Sequence, residues 1–222
     1  MSLDPKEIIA RRVAQELRDR TLVNLGIGLP TLVARHVPPG LNVAFQSENG
    51  IIGFGGPPPD GMEDPNLTDA GGGFISALPG AVAFDSATSF ALIRGGHLDM
   101  TVLGGLQVDA AGRLANWMVP GRLIPGMGGA MDLVAGARRV VVAMQHAAKG
   151  EPKIVRELTL PPTSARRVTL VVTDMAVLEP REDGLWLRER APGVSVEAIE
   201  ALTAAPLRHD GQVPEMALGP HP

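Results

Sequence analysis

Residues 138–144, RRVVVAM, decide the class of fold that this sequence predicts. Three consecutive valines that do not alternate with polar residues are typical of a strand covered on both faces. Similar runs occur in TLVNLGIG, LNVAFQ, LDMTVLGGLQV and RVTLVVTDMAVL, at residues 21–28, 41–46, 98–108 and 167–178. Together they favour an α/β fold with a largely parallel sheet.

A first helix is predicted at the start of the chain. Asp4 can cap it, Pro5 can be its first residue, and Glu7 can reach back to the cap. Apolar residues then recur at helical spacing as far as Leu17. Further helices are predicted between the apolar runs, in LPTLVARHV, FDSATSFALIRGG, MDLVAGARR and SVEAIEALTAA, which occupy residues 29–37, 84–96, 131–139 and 195–205.

Capping residues mark two of these later helices. Asp85 or Ser86 can cap the FDSATSFALIRGG helix, where Gly95 is the stop, and Ser195 can cap the last helix. The glycine- and proline-rich segment from Gly53 to Gly73 shows no regular pattern, so we predict a long loop there. Such loops inside compact domains are often functional.

Composition excludes several functional classes. The 222 residues suffice for one large domain, and we expect a single domain over residues 1–222. The net charge of −4 provides no basic surface for nucleic acid or for an anionic membrane. No apolar run near the N-terminus is long enough for a signal peptide or a membrane span, so we expect a cytoplasmic location. Cysteine is absent and the five histidines show no paired spacing, so we expect no metal site.

The stretch NVAFQSENGIIGFGG, residues 42–56, places a carboxylate at a turn between two apolar runs. A carboxylate such as Glu48 can attack an activated acyl group without a general base, and this chemistry suits acyl thioesters. Asn49 and Gly50 can take left-handed backbone angles, and a glycine lets a substrate approach the chain closely. The alternative is an ordinary Asn-Gly hairpin with a solvated glutamate at its tip. The apolar flanks favour a functional role, because ligands bind at the edge of open α/β sheets.

Two glycine-rich turns are further candidates for the site. In GMGGAMDLV, residues 126–134, glycines lead into a helix and offer free backbone N–H groups that can hold an oxyanion or an anionic group. In NLGIGLPT, residues 24–31, Gly26 and Gly28 form a tight turn that can admit part of a ligand. Thr31 stands where a dinucleotide fingerprint has its third glycine, so that fingerprint is weak. Flexible connections are the alternative for both turns.

Other polar residues are weaker candidates. His97 and His146 can serve as proton donors, although a single histidine at a strand end is more often a structural hydrogen-bonding residue. Asp132 is expected to stabilise a helix N-terminus. The residues expected to fill the core or a pocket are Met118, Met127, Met131 and Met144.

FQSENGIIG, residues 45–53, resembles the signature of the B subunit of the class I coenzyme A transferases, which move CoA between an acyl-CoA and a carboxylic acid. The likeness covers nearly the whole chain and continues through VNLGIGLPTLVA, ALPGAVAFDSATSFALIRGGHLDMTVLGGLQV, LANWMVPG, GMGGAMDLVAGARRVVVAMQHAAKG, PKIVRELTLPPT and VVTDMAVLE. This resemblance implies a three-layer α/β/α fold with a mainly parallel sheet, shared with sugar-phosphate isomerases of the ribose-5-phosphate type.

The resemblance also implies roles for individual residues. Glu48 would be the nucleophile that carries the acyl group and then CoA as a glutamyl thioester, and Gly128 or Gly129 would supply a backbone donor to the oxyanion. Residues expected to position substrate or CoA are Gly26, Gly28, Ser47, Asn49 and Gly50. CoA is a co-substrate and no cofactor is implied. An A subunit is implied to complete the site, in a mixed assembly such as A2B2, so the chain alone should be inactive.

Two positions depart from the family pattern. Relatives commonly have glycine-proline followed by an aromatic residue after the signature. In GFGGPPP, Gly56 and Pro57 are instead followed by two more prolines, so we expect the substrate-side loop to differ in shape. Leu158 or Thr159 replaces a cysteine often found in the ELTLPPT region, a change expected to affect packing only.

The leading hypothesis is the B subunit of a 3-oxoacid CoA-transferase of ketone body metabolism, with succinyl-CoA as donor and an acceptor such as acetoacetate. Alternatives are 3-oxoadipate, acetate or a short-chain fatty acid as acceptor, a catalytically silent ligand-binding subunit, and a sugar-phosphate isomerase. The intact turn at residues 47–50 argues against a silent subunit. Region 24–56 has Arg35 as its only basic residue apart from His36, which argues against a phosphate-binding isomerase.

Overall fold

The computed structural model describes residues 3–121 and 128–219. Its helices are α1 (Pro5–Ala14), α2 (Ser86–Arg94), α3 (Ala130–Gly136) and α4 (Val196–Ala201), with a 3₁₀ helix at Leu29–His36. Its strands are β1 (Thr21–Leu25), β2 (Val43–Ser47), β3 (Ile51–Phe54), β4 (Ala77–Ala83), β5 (Met100–Leu103), β6 (Gln107–Asp109), β7 (Leu114–Ala115), β8 (Arg139–Ala143), β9 (Ala147–Ala148), β10 (Glu151–Pro152), β11 (Ile154–Val155), β12 (Leu170–Val172), β13 (Ala176–Arg181), β14 (Gly184–Arg190) and β15 (Leu207–Arg208). No described helix is long and apolar enough to cross a membrane.

Ten strands form one sheet, in the order β15-β14-β13-β12-β8-β5-β1-β2-β3-β4. Its centre, from β12 through β8, β5 and β1 to β2, is parallel. Antiparallel pairs extend it on both sides, through β3 and β4 at one end and through β13 and β14 at the other. The predicted α/β fold with a mainly parallel sheet is therefore confirmed, and the antiparallel pairs lie outside its centre.

Helices cover both faces of this sheet, which explains the uninterrupted valines of β8. Val140 and Val142 pack in a core that includes Ile93 of α2 and residues of α3. Val141, between them, packs in a second core with Ile9 of α1. Each face is thus apolar and covered, so the strand has no side on which polar residues would be tolerated. This arrangement confirms three layers.

Some predicted helices differ in length or type. Helix α1 ends at Ala14, and Glu7 pairs with His36 (Oε1 to Nε2, 3.1 Å) instead of reaching back to the cap. Residues 29–36 form a 3₁₀ helix rather than an α-helix, beginning with a bond from the Thr31 N–H to the Gly28 carbonyl (3.0 Å). Helix α3 ends at Gly136, because the following arginines already lead into β8.

The predicted helix caps are found at Asp85 and Ser195. The Asp85 carboxylate accepts a hydrogen bond from the Thr88 N–H at 2.7 Å, and the Ser195 hydroxyl accepts one from the Ala198 N–H at 3.2 Å. Of the two candidates for the second helix, Asp85 is the cap and Ser86 is the first helical residue. Gly95 follows the helix as predicted.

Two predicted strands are each divided in the structure. LDMTVLGGLQV breaks at residues 104–106 into β5 and β6. RVTLVVTDMAVL breaks at residues 173–175 into β12 and β13, which are antiparallel. In the second case the Thr173 hydroxyl accepts hydrogen bonds from the Met175 and Ala176 N–H groups and closes a tight turn. The predicted long loop is largely confirmed, although Gly53 belongs to β3 and the irregular segment extends over residues 55–76.

Candidate active site

A pocket of about 390 Å³ opens beside the carboxyl ends of the central parallel strands. Glu48 contributes the only charged side chain among the described residues that line it. Glycines from three turns form much of its wall: Gly26, Gly104, Gly105, Gly128 and Gly129. Larger side chains from Ile27, Leu106, Trp117 and Leu133 complete an apolar part of the wall. The pocket thus combines one carboxylate with backbone groups and apolar surface.

A second cavity, of about 240 Å³, lies at the opposite edge of the sheet, where β1, β5 and β8 begin. Its charged residues pair with one another, as Arg138 does with Asp99 (3.0 Å) and Arg139 with Glu16. We place the candidate site at the Glu48 pocket, because ligands of open α/β sheets bind beyond the carboxyl ends of the strands.

The turn that carries Glu48 follows β2 and is closed by a hydrogen bond from the Gly50 N–H to the Ser47 carbonyl (3.0 Å). Gly50 has the predicted positive φ, at 123°, whereas Asn49 does not. A side chain at Gly50 would collide with the carbonyl oxygen of Phe84. Glycine is therefore needed here for the close packing of two chain segments, whatever the substrate requires.

Two residues predicted to position substrate, Ser47 and Asn49, have other contacts. The Ser47 hydroxyl accepts from the Ala70 N–H (2.9 Å), and the Asn49 side chain donates to the Thr68 carbonyl (2.7 Å). Both therefore hold the irregular segment 55–76 against the turn. Neither they nor Gly28 lines the pocket, whereas Gly26 does. Substrate positioning by these residues stays a prediction.

Beneath Glu48 lies a row of buried polar side chains that crosses three strands. Thr101 of β5, Asn24 of β1 and Gln46 of β2 are in register with one another, and Ser89 of α2 lies against the end of the row. All four are fully buried. We call Asn24, Gln46, Ser89 and Thr101 the Asn24 cluster.

Hydrogen bonds fix the orientation of each member of the Asn24 cluster. Thr101 donates to Asn24 Oδ1 (2.9 Å), and Asn24 Nδ2 donates to Gln46 Oε1 (2.8 Å). Gln46 Nε2 in turn donates to the Ser89 hydroxyl (2.9 Å). Since Asn24 Nδ2 also donates to Glu48 Oε2 (3.3 Å), the cluster holds one carboxylate oxygen of Glu48. The other oxygen, Oε1, accepts no hydrogen bond from the described residues.

Gly129 brings the second predicted element to Glu48. It is buried and immediately precedes α3, and a Cβ placed on it would lie 3.2 Å from both Glu48 Cγ and the Phe90 ring. Gly128, exposed and with a φ of 53°, is its neighbour in the pocket wall. Two segments about 80 residues apart in sequence thus meet beside Glu48, and the role of Gly128 or Gly129 as oxyanion donor stays a prediction. Gly126 and Met127 of the same motif lie outside the described residues.

Lys153 lies behind the pocket wall. Its Nζ donates to the carbonyl of Gly105 at 2.6 Å, and burial lowers the pKa of this amine. The lysine therefore fixes the path of the Gly104–Gly105 turn and does not line the pocket. No group of three histidine, aspartate or glutamate side chains suited to a metal ion occurs in residues 3–121 and 128–219.

Sequence reasoning missed the Asn24 cluster. The available signal was a polar residue inside each of three apolar strands, because a polar group buried there must have a hydrogen-bonding partner. This signal does not reveal which residues pair. Ser89 lies on a helix, where a single serine gives no comparable signal. Of the candidate histidines, His97 is exposed, while His146 is fully buried and hydrogen-bonded by Thr173 and Thr203, which confirms its structural role.

Comparison with known proteins identifies the family. The family model for coenzyme A transferase matches residues 6–202. The chain therefore belongs to the coenzyme A transferase family, and the expected resemblance to its B-type chains is confirmed. It is 54% identical over 204 residues to "Acetate CoA-transferase subunit beta" of Escherichia coli K12, a match that covers 91% of this chain and 93% of the relative.

Two further matches are to longer single chains, one a curated relative and one a solved structure. "Succinyl-CoA:3-ketoacid coenzyme A transferase 2B, mitochondrial" of Mus musculus is 46% identical over 199 residues, which are 88% of this chain and 38% of the mouse protein. The solved structure of an acyl-CoA transferase apoenzyme from Escherichia coli O157:H7 superimposes with a TM-score of 0.77 at 24% identity and supports the fold. The match covers 98% of this chain and 44% of that one, so our chain spans less than half of its length.

Proposed function

We propose that this chain is the B-type half of a CoA-transferase that works with an A-type subunit and uses Glu48 as its nucleophile. The donor would be an acyl-CoA such as succinyl-CoA, and the acceptor a 3-oxoacid such as acetoacetate. The observation that carries the proposal is the position of Glu48, whose carboxylate lies in the pocket with one oxygen held by Asn24 and with Gly129 against its side chain.

The first half of the reaction transfers CoA to the enzyme. A Glu48 oxygen attacks the thioester carbonyl, a C–O bond forms, and the C–S bond breaks to give a mixed anhydride and CoA thiolate. The thiolate then attacks the Glu48 carbonyl carbon. A C–S bond forms to Glu48, the anhydride C–O bond breaks, and the donor leaves as its carboxylate.

The second half returns Glu48 to its starting state. The acceptor carboxylate attacks the glutamyl thioester and forms a second anhydride while CoA thiolate leaves. The thiolate attacks the acceptor's acyl carbon, and Glu48 is released as a carboxylate. No proton or electron is gained or lost overall, so the cycle needs CoA as co-substrate and no cofactor.

Two contacts suit this chemistry. The Asn24 amide, itself fixed by Thr101, can restrain Glu48 so that its other oxygen faces the substrate, which lowers the entropic cost of attack. The backbone N–H of Gly129, or of Gly128, can donate to the oxyanion that develops when a thioester or anhydride is attacked. Both roles follow from proximity to Glu48 in the pocket.

Acetate is a second candidate acceptor. The relative at 54% identity over 91% of this chain is named for acetate, which supports this acceptor. Turnover with acetate, acetoacetate and 3-oxoadipate at matched concentrations would rank these acceptors by kcat/KM.

Covalent trapping tests the nucleophile. The chain is assembled with its A-type subunit, incubated with succinyl-CoA or acetoacetyl-CoA, reduced with borohydride and digested for peptide mapping. We expect reduction of the glutamyl thioester to an alcohol at Glu48 only, dependent on acyl-CoA. The Glu48→Gln assembly is the matched control and should show no modification.

The same experiment can contradict the proposal in two ways. A modified residue other than Glu48 would assign the nucleophile elsewhere. An assembly that binds acyl-CoA but shows neither modification nor turnover would indicate a catalytically silent subunit.

A further inference from the structure

The large apolar side chains that the described residues expose are concentrated in one region. They are Ile27, Met62, Phe74, Leu78 and Val82, with exposed fractions between 45% and 72%. Four of the five lie between residues 62 and 82, in β4 and the irregular segment before it. Apolar patches exposed together in this way mark interaction sites more often than isolated apolar residues do.

Strand β4 is also an unprotected sheet edge. It is the last strand of the ten-stranded sheet, and among residues 3–121 and 128–219 it pairs only with β3. Six of its seven residues are exposed, and its sequence, ALPGAVA, contains no charged or polar side chain. Edge strands of proteins that remain unpaired usually carry charges or are covered by another segment. The composition of β4 therefore indicates that another molecule covers it.

The patch is continuous with the pocket that contains Glu48. Ile27 lines the pocket, and its side chain also lies against Gly71 of the irregular segment. Leu78 of β4 lies against Gly55 at the start of that segment. An occupant of β4 would therefore also reach the mouth of the pocket.

The opposite end of the sheet has different chemistry. Strand β15 and the neighbouring turn expose Arg208, Asp183 and Glu182, with Arg208 near Asp183 (3.9 Å). This end is charged and suited to contact with water. The two ends of one sheet therefore differ, and only the end beside the pocket lacks charge.

We propose that β4, together with Ile27 and Phe74, is the surface on which the A-type subunit docks; this rests on the proposed function. The relatives support this occupant, because the mouse protein joins a region homologous to this chain to a further part more than one and a half times as long. Pro79 lacks an N–H and Gly80 has a φ of 88°, which interrupt the outer edge of β4. The contact is therefore made by packing of apolar side chains, without a continuous sheet across the interface.

Charge substitutions on the exposed edge test the surface. Leu78→Lys and Val82→Lys place an ammonium group in the proposed interface, and Gln212→Lys adds the same charge at an exposed position elsewhere. Affinity for the purified A-type subunit of the same organism is measured by titration calorimetry. We expect β4 variants to bind roughly 30-fold or more weakly, the size of a central interface contact, and Gln212→Lys to bind like the wild type. Unchanged circular dichroism spectra would show that the exposed substitutions leave the fold intact.

Hydrogen exchange gives a second measurement that requires no substitution. Binding of the A-type subunit should slow exchange at residues 77–83 and leave residues 207–208 unchanged. Wild-type binding with normal turnover, but with no effect of either lysine and no protection of β4, would overturn this surface and leave the proposed function standing. Weaker binding by the β4 variants, in an assembly that never transfers CoA, would support the surface and overturn the proposed function. Self-association of the chain through β4, with A-subunit binding unaffected, would overturn the choice of occupant.

Discussion

Two buried polar clusters lie near the carboxyl ends of the central strands, and they differ in whether they are open to a pocket. The Asn24 cluster leads from Thr101 to Glu48, whose carboxylate lies in the pocket. The second, which we call the His146 cluster, consists of His146, Thr173 and Thr203, and both threonine hydroxyls make their other hydrogen bonds with backbone groups. Polar groups at the same edge of one sheet can therefore hold a reactive side chain, as the Asn24 cluster holds Glu48. They can also stabilise the fold alone, as the His146 cluster does.

The largest expected effect on activity comes from substitution of Glu48, which the Asn24 cluster holds in the pocket. Glu48→Gln keeps the size of the side chain and an oxygen that can accept from Asn24, but it removes the nucleophile. We expect kcat of the assembled enzyme to fall by at least about 10⁴-fold. Affinity for the A-type subunit and the melting temperature should remain those of the wild type. Retained turnover would exclude Glu48 as nucleophile, and the Asn24 cluster would then have no demonstrated link to catalysis.

The His146 cluster should instead affect stability as a function of pH. The Thr173 hydroxyl accepts from two backbone N–H groups, and its hydrogen can be donated to His146 Nδ1 (2.9 Å) or to the Ala176 carbonyl (3.1 Å). Burial lowers the pKa of His146 to about 4 from the ordinary 6.5. The unfolded chain therefore binds a proton first as pH falls.

The sign and size of this effect follow from linkage. The stabilisation is fully present above pH 6.5 and is lost as pH falls from there to about 4, by up to about 3 kcal/mol in total. Chemical denaturation at several pH values measures it, and His146→Gln is the control because it cannot titrate. The difference in unfolding free energy between the two proteins should depend on pH within this window. A difference independent of pH would show that the pKa of His146 is the same in the folded and the unfolded chain.

A matched pair of threonine substitutions separates the two clusters directly. Thr101→Val leaves Asn24 Oδ1 buried without its donor, and Thr173→Val removes the hydroxyl from His146. Each should cost about 1–3 kcal/mol of unfolding free energy. Only Thr101→Val should also lower kcat, by about tenfold, with little change in KM, since Asn24 would no longer be held beneath Glu48.

Thr101→Ser is the control, because it retains the hydroxyl and should restore most of kcat. Equal losses of kcat in Thr101→Val and Thr173→Val would mean that both clusters act only through stability.

The smallest effects are expected at the helix caps adjoining each cluster. Asp85 caps α2, which carries Ser89, and Ser195 caps α4, which ends near Thr203. Asp85→Ala and Ser195→Ala should each lower the melting temperature by about 2–4 °C. A few-fold loss of kcat is expected for Asp85→Ala alone, and a steady-state assay below the melting temperature would detect it. Loss of activity in Ser195→Ala would contradict the prediction that only the Asn24 cluster affects catalysis.

Much of the fold was predictable because local chemistry and covered faces leave clear patterns. The valines of β8, the Asp85 cap and the turn around Glu48 were all identified from neighbouring residues in the sequence. The division of RVTLVVTDMAVL into β12 and β13 was missed, because a threonine that closes a turn looks the same as one inside a strand. Strand β15 was missed because its two residues give no periodicity, and β4 was missed because ALPGAVA is apolar throughout and contains a proline and a glycine.

The sequence by itself determined a covered parallel sheet, the carboxylate Glu48 at the end of one of its strands, and the glycine turn that precedes α3. These depend on spacing over a few residues, where periodicity and turn chemistry operate. The tertiary structure alone decided that Thr101, Asn24 and Gln46 form one row beneath Glu48, and that β4 is an exposed apolar edge beside the pocket. The physical reason is that hydrogen bonding between strands and burial at a sheet edge depend on the order of strands, which brings together residues up to 77 positions apart.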